Sequence, residues 1–125
     1  MDIKELRIGN HVLYEGKRVK IDHISQFGDI GLVDITYTLV SPKDLDPIPL
    51  TEELLKELGF ECLWGVPKDM EKHIGEIGLY STHLNNGKYR ISISNDDSTN
   101  YGDMLCQYLH ELENFVYLTT KQELI

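Results

Sequence analysis

His11-Val12-Leu13-Tyr14-Glu15-Gly16-Lys17-Arg18-Val19-Lys20-Ile21-Asp22-His23-Ile24 is the stretch that decides the fold class. His11–Tyr14 is a short apolar run. In Glu15-Gly16-Lys17 the glycine supplies the positive φ that a tight turn needs. From Arg18 to Ile24 polar and apolar residues alternate strictly, the period of a strand with one face buried. Val19, Ile21 and His23 share one face, and Arg18, Lys20, Asp22 and Ile24 share the other. The segment therefore predicts an antiparallel hairpin. Downstream, Ile30–Ile35 and Tyr37–Val40 predict a second pair of strands.

The β pattern stops at Ser41–Pro49, which holds three prolines between Pro42 and Pro49. Proline has no backbone donor, so this stretch is neither helix interior nor central strand, and it predicts a boundary between two subdomains. A helix follows. Thr51 is a capping residue, Glu52 and Glu53 complement the helix dipole, and Leu50 and Leu55 have the spacing of a hydrophobic staple. Leu54, Leu55 and Leu58 form its apolar stripe, and Gly59 is its left-handed stop. Beyond it, Phe60–Val66 predicts a strand and Pro67–His73 a loop. Gly75–Ser81 and Lys88–Ser94 predict a hairpin turning at Asn85-Asn86-Gly87. Asn95–Asn100 contains no apolar residue and predicts an exposed loop. Leu105, Tyr108, Leu109, Leu112, Phe115 and Val116 recur at three- and four-residue steps, predicting an amphipathic helix over Asp103–Thr119.

Composition narrows the function. The 125 residues carry 12 basic and 21 acidic side chains, a net charge of −9, and 41% are hydrophobic. That content supports a core and excludes a disordered acidic tail. The charge is uneven, net −2 over residues 1–50 and −7 over 51–125. A field of this sign repels phosphate backbones, so no nucleic acid is expected as a partner. Lys17, Arg18 and Lys20 lie close together and read as a solvated hairpin turn. The apolar runs are too short to span a bilayer, so no membrane is expected. The first residues lack a basic n-region and an apolar h-region, so no secretory signal is expected. Two cysteines, Cys62 and Cys106, make no disulfide framework. The expected location is cytoplasmic.

Catalytic and metal motifs are missing from the sequence. No two of His11, His23, His73, His83 and His110 are closer than ten positions, and His110-Glu111-Leu112-Glu113 lacks the second histidine of a metalloprotease helix. There is no nucleophile elbow, Walker loop or dinucleotide fingerprint. On the predicted helix Cys106 and His110 share a face, but the thiol sits between Leu105 and Tyr108-Leu109 and reads as buried and inert. Asp96 and Asp97 read as loop solvation. No metal, cofactor or catalytic residue is expected, and the protein is read as not an enzyme. Seven tyrosines stand out, since tyrosine combines an apolar face with a hydroxyl. Trp64, Tyr80, Tyr89 and Arg90 form the candidate ligand-binding set: rings to stack a nucleobase, and in Arg90 a planar fork for phosphate.

Leu6-Arg7-Ile8-Gly9-Asn10-His11-Val12, followed by Tyr14–Lys17 and Val19–Ile21, resembles the start of a group of small phage- and prophage-encoded proteins. Pro47–Glu53 with Leu58-Gly59-Phe60 resembles the group's central stretch. Tyr108–Phe115 with Leu118-Thr119-Thr120 resembles its C-terminal block, where Gln commonly stands at the positions of Glu111 and Glu113. Residues 61–104 match no stretch of the group, and the group has no assigned activity to carry over. The N-terminal block is also similar to an SH3-like small barrel, a fold that mostly binds.

The expected fold is α+β: an SH3-like antiparallel β unit over residues 1–48, then a second antiparallel sheet with two helices over 51–125, sharing one core. So small a barrel buries little area alone, which favours a homo-oligomer. Phage context, abundant tyrosine and the lack of catalytic groups together lead to the expectation of a phage-type, anti-defence binding protein that sequesters a small host ligand such as a nucleotide immune signal. The alternative is an acidic protein–protein inhibitor of a host factor.

Overall fold

A computed structural model describes residues 1–63, 66–84, 86–95 and 100–124. The class is α+β, as the sequence predicts: two antiparallel five-stranded sheets, the first a curled half-barrel, and two helices. The chain divides into two compact units, Met1–Pro49 with Tyr108–Asn114, and Leu50–Gln107 with Phe115–Ile125.

In the first unit the strands are β1 (His11–Tyr14), β2 (Lys17–Ile24), β3 (Ile30–Leu32), β4 (Ile35–Val40) and β5 (Leu45–Asp46). Their spatial order is β4-β3-β2-β1-β5. Tyr14 pairs with Lys17, so β1 and β2 are joined by the two residues Glu15 and Gly16. Both have positive φ, 50° and 79°, a conformation that matches the right-handed strand twist and that glycine reaches without strain. Val12, Ile21, Ile30, Leu32, Val40 and Leu45 form the buried cluster, with Tyr14 and Val19 packed against it. The alternation delivers Ile21 to the core and leaves Arg18, Lys20 and Asp22 exposed, but it breaks at the register shift between Ile21 and His23: His23 is exposed, and Ile24, expected on the polar face, packs against the core. Gly31 is obligatory, since a Cβ there would come within 2.9 Å of the His23 Cβ.

In the second unit α1 (Glu52–Glu57) is capped by Thr51, whose hydroxyl accepts from the Leu54 N–H at 3.1 Å. It ends in a Schellman motif: Phe60 N–H donates to the Leu55 carbonyl and Gly59 N–H to the Lys56 carbonyl, with Gly59 at φ 97°. The sheet comprises β6 (Glu61–Leu63), β7 (Val66–Ile74), β8 (Ile77–His83), β9 (Tyr89–Asn95) and β10 (Asn100–Cys106), in spatial order β10-β9-β8-β7-β6. Met70, Leu79, Tyr89, Ile91, Ile93 and Cys106 are buried.

Two expectations are corrected. Pro67–His73 is not a loop; it lies within β7, a central strand that pairs with both β6 and β8. Its polar residues at 69 and 71 share the sheet face of Tyr80 and Thr82, while Met70 is buried on the other. The second helix is shorter than its periodicity suggests. Residues 103–106 belong to β10, paired from Asp103↔Ser92 to Cys106↔Tyr89, and α2 spans Leu109–Thr120. As an edge strand, β10 leaves Met104 and Leu105 both exposed, 39% and 49%, with only Cys106 buried. Helix and strand periods coincide over such a short run, and the backbone ladder with β9 settles it. Cys106 and His110 therefore do not share a helix face. The helix starts where Glu111, at its third position, accepts from the Tyr108 N–H at 3.0 Å. The turn at 85–87 and the loop at 95–100 fall partly outside the described residues.

Leu109 and Leu112 on α2 are fully buried. Leu112→Ala should destabilise the protein by about 2–5 kcal/mol, read as a lower midpoint in urea with an unchanged slope.

Candidate functional site

Strand register places the sequence-derived candidates. Tyr80 pairs with Ser92 and Thr82 with Arg90. Directly opposed residues share a face, so Tyr80 and Arg90 lie on the same, outward side of the second sheet. Tyr89 lies on the opposite side, buried and stacked on His83 with ring centroids 4.7 Å apart. Burial accordingly raises its phenol above the ordinary value, with the Glu52 charge adding to the shift. The Tyr80 hydroxyl would be 2.8 Å from a Cβ on Gly78, and the ring meets His73 edge-on. It thus covers the part of β8 away from Arg90. Trp64 lies outside the described residues. The structure therefore brings Tyr80 and Arg90 to one face without stacking them and separates both from the Tyr89 ring. Arg90 lines a shallow groove of about 330 Å³ with Asp103, Met104 and Leu105, one cation beside one carboxylate.

A larger groove, about 510 Å³, lies beside the β1–β2 hairpin. Lys17, Arg18 and Lys20 line it with His11, against only two carboxylates, Glu15 and Asp34; Tyr14, Val19 and Val33 supply apolar wall. The hairpin register explains the gathering. His11 pairs with Lys20 and Leu13 with Arg18, so His11, Arg18 and Lys20 project from one face. The cluster read as a solvated turn is thus one wall of this groove.

His11 is held from behind. Its backbone N–H donates to Glu113 Oε1 at 2.8 Å, and its Nδ1 lies 2.6 Å from Glu113 Oε2. Glu113 is only 2% exposed, and both of its carboxylate oxygens are engaged by this one residue. The neighbouring positions repeat the arrangement. Asn10, fully buried, donates through Nδ2 to Asn114 Oδ1 at 2.8 Å and accepts from the Arg7 N–H at 2.7 Å. Asn114 Nδ2 donates to the Glu5 carbonyl at 2.9 Å. Every member of this buried polar group has a partner, the condition under which such a group rigidifies its surroundings. No local signal exposes the pair, since 102 positions separate its members.

A third groove, about 300 Å³, is lined by Glu5, Lys43, Asp46, Tyr108, His110 and Glu111 among others. His110 is 2% exposed, and neither ring nitrogen has a hydrogen-bond partner among the described residues. Burial pushes its imidazole below the ordinary value, opposed by the charges of Glu111, Glu5 and Glu113. No group of three or more His, Cys, Asp or Glu residues suited to a metal occurs among the described residues, and no helix there is long and apolar enough to cross a membrane. No family model, curated protein or solved structure matches the chain.

Two outcomes follow from these contacts. Glu113→Ala leaves the His11 backbone donor and ring without their acceptors and should cost on the order of 3 kcal/mol in denaturant titration, whereas Glu113→Gln keeps one acceptor oxygen and should cost less. Because the folded His110 binds a proton less readily than the unfolded chain, its contribution is neutral above the unfolded value of about 6.5 and destabilising as pH falls through it. His110→Leu should therefore flatten the decline of melting temperature between pH 7 and pH 5; an unchanged slope assigns the acid sensitivity elsewhere.

Proposed function

We propose that the protein is a non-enzymatic binding protein that captures a small phosphorylated ligand of the nucleotide class in the groove beside the β1–β2 hairpin. The observation that carries this reading is the gathering of Lys17, Arg18, Lys20 and His11 around about 510 Å³ in a chain of net charge −9. That volume suits a nucleotide-sized molecule. In an otherwise repulsive field, a locally cationic concavity is where an anion finds favourable potential. Arg18 brings a guanidinium and the lysines bring point charges for phosphate. The resemblance to phage and prophage proteins supports a host-made nucleotide as the ligand, with sequestration in the host cytoplasm as the anti-defence outcome.

A second reading has its own observation. Glu61, Asp69, Glu71 and Asp103 share the outward face of the second sheet with Arg90 through the registers of β6 to β10. That acidic face suits a basic protein partner, as an inhibitor of a host factor would require.

The two readings separate in one experiment. Thermal melts of the protein with ATP, GTP and inorganic pyrophosphate should show stabilisation, about 2.7 kcal/mol at a hundredfold excess over Kd. Arg18→Ala combined with Lys20→Ala should weaken binding at least tenfold, about 1.4 kcal/mol, while Arg90→Ala leaves it unchanged. No shift with any of the three ligands defeats the anion reading and leaves the acidic face as the working surface. Recovery of altered nucleotide from the incubation defeats the non-enzymatic part.

A further inference from the structure

Glu113 does more than tie α2 to the start of β1. A backbone bond from His11 to Oε1 would do that alone. The second oxygen is spent on the imidazole, 2.6 Å from Nδ1, and it fixes the ring. With both oxygens of a buried carboxylate on one residue, the imidazole can neither flip nor exchange its nitrogens without breaking a short, charge-assisted contact. Nδ1 carries the hydrogen that Glu113 accepts, so Nε2 is the ring's remaining polar atom. The His11 side chain is 16% exposed, and His11 is one of the residues that line the cationic groove. Lys20 stands directly across the hairpin from it, with Arg18 on the same face.

We infer that His11 is the directional ligand contact of this groove and Glu113 its positioning residue: Nε2 donates to a phosphoryl oxygen that Arg18 and Lys20 hold by charge. This deepens, and rests on, the anion-binding reading above. In the complex both ring nitrogens donate, Nδ1 to Glu113 and Nε2 to the phosphoryl group, and the buried carboxylate balances the imidazolium between them. The lysines supply affinity with little direction, because an ammonium on a flexible stem grips a phosphate as a point charge. A ring clamped from behind sets where the phosphoryl group sits. The recognised element is a phosphoryl group at one end of the ligand, and inorganic pyrophosphate is its minimal probe.

Calorimetric titration of the full chain with pyrophosphate and with ATP tests this, alongside ¹⁵N spectra of the His11 ring. Wild type should bind both, and on saturation Nδ1 and Nε2 should both take the shifts of protonated nitrogens. His11→Gln, which keeps the backbone bond to Glu113, should lose at least tenfold in affinity for both probes and lower the melting temperature, since Glu113 Oε2 loses its ring donor. Glu113→Gln should also lose affinity, and its saturated His11 should lack the doubly protonated signature; a purely structural Glu113 would lower the melting temperature and leave both readings intact. If wild type binds and Arg18→Ala weakens it while His11→Gln and the ring spectra stay unchanged, the groove reading stands and the role of His11 falls. If wild type binds neither probe, both fall together.

Discussion

The buried carboxylate of Glu113 is the constraint around which the first unit is arranged. A carboxylate taken out of water costs several kcal/mol unless donors replace its hydration. The donors here come from one residue, the backbone and ring of His11. Satisfying the carboxylate therefore fixes the second turn of α2 against the first residue of β1. Asn10 and Asn114 extend the tie by one position on each side, and Asn114 also anchors the Glu5 carbonyl. The blocks Gly9-Asn10-His11 and Glu113-Asn114, which lie at opposite ends of the chain, form one buried polar cluster.

The hairpin inherits its geometry from that cluster. With His11 held, the register of β1 with β2 places Lys20 and then Arg18 along the same face, and the two-residue turn closes the far end. The cations do not repel each other into solvent independently, because the ladder sets their spacing. Their gathering matters because the rest of the chain is acidic: a small positive concavity in a negative surface is a selective anion trap, whereas the same three residues on a basic protein would be unremarked.

The second unit follows different rules. Its local signals agree with one another: the Thr51 cap, the Schellman end at Gly59 and the alternation of β9 each match what the chain does. Its outward face gathers carboxylates around a single arginine among the described residues, and its aromatic residues are divided between the two sides of the sheet. Tyr80 covers Gly78, and the buried Tyr89 ring stacks on the exposed His83. A set of residues chosen by chemical type is thereby separated by strand parity, which a sequence displays only once the register is known.

Local chemistry determined the α+β class, the Glu15-Gly16 turn, the alternation of β2 as far as Asp22 and both ends of α1, because each depends on contacts within a few residues; past Asp22 a register shift puts His23 outside and Ile24 against the core. It misled where two periods fit the same short run: Leu105 and Tyr108 suit a helix, yet pairing with β9 makes residues 103–106 a strand. It misled again at 67–73, where polar residues on the outward face of a central strand look like a loop. Lys17, Arg18 and Lys20 were visible as a cluster, but not as a wall, since a groove needs Val33 and Asp34 from another strand connection to close it. The partnership of His11 with Glu113 was wholly a product of tertiary structure: 102 positions apart, the two are joined only because a buried carboxylate must be met by whatever donors the fold brings to it.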